Sequence, residues 1–104
     1  MNGAGGTFAV KIAPVANDKM REHFEFLARV SEAAAITLVE ELVDDIRSLE
    51  RSPFRCPLFQ GMGVKKYRFL ISAKRYRIVY QVVGNTVFVD DIQDCRQNAD
   101  KSNV

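Results

Sequence analysis

Apolar and polar positions alternate with two different periods along this chain, and each change of period marks a new element. Over 7–13, Phe8, Val10 and Ile12 alternate with Ala9 and Lys11, the period-2 pattern of a half-buried strand, which Pro14 ends. From 15 to 30 the period lengthens. Met20, Phe24 and Leu27 recur at helical spacing while Arg21, Glu22, Glu25 and Arg29 fall on other faces, which predicts an amphipathic helix with Asn17 as a cap near its start. Ser31 reads as the N-cap of a second, longer helix. Ala35, Leu38, Leu42, Ile46 and Leu49 form its apolar stripe, and Glu40, Glu41, Asp44 and Asp45 supply acidic surface. Pro53 disfavours helical geometry at the residue before it, so this helix stops around 51–52. Two helices joined so tightly predict an antiparallel hairpin. Residues 53–64 carry two prolines, two glycines and no periodicity, and read as a loop. Three strands follow, over 65–72, 75–83 and 86–92, with Gly84–Asn85 turning the last two.

Strand phase decides what the sheet presents. A first hairpin turning at Ala73–Lys74 sets Tyr67, Phe69 and Ile71 opposite Tyr76, Ile78 and Tyr80, an aromatic and aliphatic face for the helices to cover. Arg68 and Arg77 then share the uncovered face with Leu70, Val79 and Gln81. The second hairpin places Val87 and Val89 in the core and Phe88, Asp90 and Ile92 beside the arginines. Asp91 then points toward the core or the sheet rim, an awkward position that needs a bulge. The expected fold is α+β, in the order β-α-α-β-β-β, with a helical hairpin on one face of a small, mainly antiparallel sheet.

Charge sharpens this picture. From Arg51 to Val89 the chain holds eight basic residues and no Asp or Glu. Residues 1–50 carry five basic against nine acidic side chains, a net of −4, and residues 51–104 carry ten against four, a net of +6. A strand pair rich in cations without carboxylates makes a local positive field, whose usual ligand is a polyanion; Lys and Arg that merely solvate exposed sheet are the alternative. The length of 104 residues suits one small domain over 7–97, between a disordered tail at 1–6 and a flexible one at 98–104. No apolar run approaches the ~20 residues that span a bilayer, and the N-terminus does not resemble a signal peptide. The expectation is a cytoplasmic protein with no membrane association. Cys56 and Cys95 lie far apart without metal-ligand spacing, so reduced thiols and no metal are expected.

Arg77 is the first candidate for chemistry: a guanidinium held mid-strand by core-facing neighbours is a preorganised clamp for phosphate or carboxylate. Arg68 is its expected neighbour, and Arg96, just past the last strand, can swing over the same surface. The candidate target-binding or nucleic-acid-binding set is Lys65, Lys66, Arg68, Lys74, Arg75, Arg77 and Arg96. In the bland reading, Arg77 pairs with Asp90 and Arg96 caps the sheet through Asp94. His23, the single histidine, sits on the first helix away from the basic strands, as a partly exposed helical residue. The three tyrosines read as packing residues. Arg96 could lower the pKa of Cys95, but no histidine stands near to activate it. No phosphate loop, carboxylate pair or catalytic triad is present in the pattern, and no cofactor is implied.

The element order, the helix ending in LERSP and the run YRIVYQVVGNTVFVDDIQDCRQN resemble the RelE/ParE superfamily of toxins from type II toxin–antitoxin systems, known also from plasmid stabilisation. The likeness rests on Tyr76-Arg77-Ile78-Val79-Tyr80, the Gly84-Asn85 turn, Val87 to Ile92, and Cys95-Arg96-Gln97, and spans 8–97. It implies a cytoplasmic toxin, monomeric within a hetero-oligomer with a cognate antitoxin whose disordered segment wraps it. It offers two targets: DNA gyrase, blocked by ParE-like members, or mRNA in the ribosome, cut by RelE-like members. Of the RelE pattern, Arg77 matches the strand arginine, Arg68 the first basic residue of Y-K-x-K, and Arg96 the arginine after the final strand. Leu70 replaces the second lysine, and Ser102 stands where a tyrosine is expected. RNA cleavage needs a proton acceptor and a proton donor, which arginines with pKa above ~12 do not supply. The reading therefore leans to a ParE-like inhibitor that is not an enzyme. A ribosome-dependent mRNA endonuclease is the alternative, and an inactive toxin-fold module that binds nucleic acid is a second. A groove beside the sheet is expected to take an amphipathic antitoxin segment with acids directed at Arg68 and Arg77.

Overall fold

The computed structural model describes residues 7–58 and 67–95. Strand β1 (Ala9–Ile12) leads into helix α1 (Pro14–Ala28) and helix α2 (Glu32–Ser48), and strands β2 (Tyr67–Ser72), β3 (Tyr76–Val83) and β4 (Thr86–Asp94) follow. The sheet order is β1-β4-β3-β2. β1 runs parallel to β4, and the two hairpins are antiparallel. The expected α+β order is therefore the observed one. The tails at 1–6 and 98–104 and most of the 53–64 loop lie outside the described residues.

Local chemistry accounts for the helix boundaries. Proline fits the first helical position because its missing N–H is one the helix could not satisfy anyway. Pro14 accordingly opens α1 rather than merely ending β1, and Ala13 is the N-cap. Asn17 is not a cap; its N–H donates to the Ala13 carbonyl within the helix. Ser31 caps α2 as expected, its Oγ accepting from the Ala34 N–H at 3.1 Å. Ala35, Leu38, Leu42, Ile46 and Leu49 are all buried, and they meet Tyr76, Ile78, Tyr80, Val87, Val89 and Ile92 from the sheet.

Two departures in the strands change which residues reach the surface. The first hairpin pairs Ser72 with Tyr76, so its loop has three residues, not two. Ala73 and Lys74 take φ values of 51° and 66°, a left-handed conformation that neither favours. One extra loop residue inverts the parity of β2. Leu70 and Ser72 share the helix-covered face with Tyr76 and Ile78, while Tyr67, Phe69 and Ile71 join Arg77, Val79 and Gln81 on the open one. The helix side tolerates this polar content because Ser72 Oγ donates to Asp45 Oδ2 of α2 at 2.5 Å. The second departure is a bulge. Tyr80 pairs with Val89 but Val79 with Asp91, which leaves Asp90 as the extra residue. Beyond it the phase of β4 is reset, so Ile92 and Asp94 are buried rather than standing beside the arginines. The second turn matches expectation: Val83 pairs with Thr86 across Gly84–Asn85, and Gly84 has φ 61°, as the first central position of a II′ turn requires.

Candidate functional site

The reset phases divide the arginines. Arg68 pairs with Tyr80 and Arg77 with Ile71, so the two guanidiniums leave opposite faces of the sheet. The shared clamp expected from the two-residue turn does not form. Arg68 ties down the segment after α2 instead: its Nη1 donates to the carbonyls of Cys56 (2.5 Å) and Phe54 (3.4 Å), and its Cζ lies 5.1 Å from the Phe54 ring centroid. Beneath it Tyr80 is fully buried and donates its hydroxyl to the Pro53 carbonyl at 2.6 Å. Burial raises the Tyr80 pKa well above the ordinary phenol range. The Cys56 thiol beside it adds to the rise, and the positive charges of Arg68 and Arg55 oppose it.

Arg77 stays on the open face, as the sequence predicts. Its guanidinium lies over Phe69, 4.9 Å from the ring centroid, and its Nη1 donates to Gln93 Oε1 at 3.4 Å. The Gln93 amide is held from behind, its Nε2 donating to Asp91 Oδ2 at 3.0 Å, and Lys19 of α1 meets Asp91 Oδ1 at 3.2 Å. The bulge thus gives Asp91 its place: it links the helical layer to the amide that holds Arg77. Arg77 does not pair with Asp90, which accepts from Gln81 at 2.8 Å. The Nε of Arg77 is buried and has no hydrogen-bond partner among the described residues.

Around Arg77 the open face is more apolar than basic. Phe69, Val79 and Phe88 are half-buried on it, and Ile71 and Val83 are 49% and 56% exposed. Lys11 stands at the far strand, and Asp90 and Asp91 set two carboxylates in β4. Arg75 turns to the buried Asp94, at 3.7 Å, and its Cζ lies 5.1 Å from the Tyr76 ring centroid. Lys74 is exposed in the turn. Lys65, Lys66 and Arg96 lie outside the described residues. The uniform cationic sheet implied by residue count is thus dispersed among a loop clamp, an ion pair, a turn and one strand position.

The remaining candidates have structural employment. His23 Nε2 meets the Ile92 carbonyl at 2.9 Å, and its ring lies 4.9 Å from that of Tyr76, which pins α1 to the sheet. Cys56 is buried and Cys95 half-buried, both as free thiols. No group of three or more His, Cys, Asp or Glu among the described residues is arranged to hold a metal ion. No described helix is long and apolar enough to cross a membrane. Sequence reasoning missed the Ser72–Asp45 bond and the apolar character of the open face. The signal for the latter was present, since YRFLIS has apolar residues at both parities.

Three comparisons bear on this geometry. A family model described as the ParE toxin of type II toxin-antitoxin systems, parDE, matches residues 10–99. Among solved structures, a chain of the chromosomal ParDE TA system from P. aeruginosa superposes with a TM-score of 0.70. It is 13% identical, and the match covers 86% of this chain and 97% of that one, a likeness of fold. No curated protein sequence matches the chain.

Proposed function

The chain belongs to the ParE family of type II toxins, and from that premise we propose that it arrests growth by binding a protein target through its open sheet face, with DNA gyrase as the target the family resemblance suggests. The observation that carries this reading is the setting of Arg77. One guanidinium, fixed by Phe69 and Gln93 among Ile71, Val79 and Phe88, suits a partner that brings a single carboxylate with apolar residues around it. Aromatic and arginine anchors surrounded by aliphatic contact surface are the usual composition of a protein-binding centre. A polyribonucleotide fits less well, because Asp90 and Asp91 stand in the neighbouring strand and Arg68 faces away.

Cleavage of mRNA also asks for proton transfer. The one histidine of the sequence is bonded to the Ile92 carbonyl on the helical side, and Leu70 occupies the position of the second lysine on the covered face. The cognate antitoxin is proposed to cover the same open face with an amphipathic segment, one acid directed at Arg77. Arg68 takes no part in that contact.

A purified-component assay tests the reading. Gyrase-linked DNA breaks should accumulate with the wild-type chain and fall at least tenfold with Arg77→Ala. mRNA cut on programmed ribosomes by the wild type, with gyrase unaffected, would replace it with the nuclease reading.

A further inference from the structure

Arg51 and Arg55, which the strand pattern leaves in a loop, end at the same corner as Arg68. Arg55 Nη1 donates to the Ser52 carbonyl at 3.1 Å and its Nη2 to Ser48 Oγ at 2.8 Å. Arg68 reaches the same stretch through the Phe54 and Cys56 carbonyls. Arg51 is exposed in the turn between them. The charges of Arg55 and Arg68 both act on the Tyr80 phenol below, in keeping with two guanidiniums that converge.

None of these arginines meets a carboxylate within ion-pair distance among the described residues, where the pairs formed are Lys19–Asp91, Arg21–Asp18 and Arg75–Asp94. The nearest acids have other surroundings: Glu50 is half-buried, and Asp45 accepts the Ser72 hydroxyl. In the middle stands Phe54, 58% exposed although Arg68 lies over its ring and Phe8 meets it nearly edge-on at 5.8 Å.

Cations at the end of α2 complement the carbonyls of its last turn, and Arg55 does so in part. That account leaves the exposed aromatic ring without a purpose. An aromatic side chain ringed by unpaired guanidiniums combines the two elements that bind unpaired bases and their phosphates. A duplex hides the faces of its bases, and an acidic peptide would meet the cations while bringing no aromatic surface for the ring. We infer that this corner binds single-stranded nucleic acid, Phe54 stacking on a base while Arg51, Arg55 and Arg68 contact phosphates. The site lies apart from the open face and does not depend on the protein-target reading.

Fluorescence anisotropy of the full chain, made by cell-free synthesis, tests this with labelled dT12 and U12, the matching duplex, and a labelled oligoglutamate. The single strands should bind best, and their affinity should fall roughly twentyfold between about 50 and about 200 mM salt, as expected for about three phosphate contacts. Phe54→Ala should weaken binding roughly tenfold while Phe54→Trp preserves it, and Arg51→Glu should weaken it with no change in thermal stability. Equal binding of duplex or oligoglutamate would overturn the inference. So would indifference to Phe54→Ala and Arg51→Glu, or an absence of binding at low salt.

Discussion

At the scale of single residues, two arginines that look alike in the sequence have different work. Arg68 holds the carbonyls of Phe54 and Cys56, so Arg68→Ala leaves both unsatisfied and should lower stability by about 2 kcal/mol. Thermal unfolding would register this as a drop of roughly 8–16 °C in a domain of this size. Arg77 lies on the surface of the sheet with one long hydrogen bond, and Arg77→Ala should leave the melting temperature within a few degrees of wild type while abolishing growth arrest. Tyr80 gives a pH signature. Because its folded pKa lies above that of a free phenol, its stabilisation is complete below about pH 10 and is lost as pH rises past that value toward the folded pKa. Denaturant titrations should show wild-type stability falling above about pH 10. Tyr80→Phe should start lower, having lost the bond to the Pro53 carbonyl, and slope less over the same range.

At the scale of elements, the helices were legible and one hairpin was not. Helical spacing from Ala35 to Leu49 and the Ser31 cap have a single solution, and the structure adopts it. The YRFLIS strand has two, because Tyr67, Phe69 and Ile71 are no less apolar than the residues that end up covered. Choosing the more hydrophobic parity for the core is sound where burial alone decides. Here a three-residue loop and the Ser72–Asp45 bond select the other, and the apolar parity is left facing outward. Consistency between local pattern and fold tends to fail at surfaces kept for partners, which makes this mismatch informative. The bulge was foreseeable from the stranded Asp91, but its position and its effect on Ile92 were not, since one unpaired residue anywhere in β4 shifts the phase of every residue beyond it. Lys74 at φ 66° carries left-handed strain, so Lys74→Gly should raise unfolding free energy by about 1 kcal/mol, measurable by urea titration. Deleting Asp90 should do the reverse on a larger scale. It would turn Ile92 and Asp94 to the open face, and loss of cooperative unfolding is the expected result.

At the scale of the whole molecule, a helical hairpin covers one side of a four-stranded sheet and leaves the other exposed. The covered side supplies the stability, and the bare side carries Arg77 in an apolar setting suited to a protein partner. The relay from Lys19 through Asp91 and Gln93 connects the two layers, so the helices contribute to aiming the guanidinium. The most direct test is a titration of the chain against purified gyrase, comparing wild type, Arg68→Lys and Arg77→Ala. Saturable binding should be nearly the same for the first two and at least tenfold weaker for the third. Wild-type chain that does not bind gyrase, or Arg77→Ala that binds as tightly as wild type, would contradict the account.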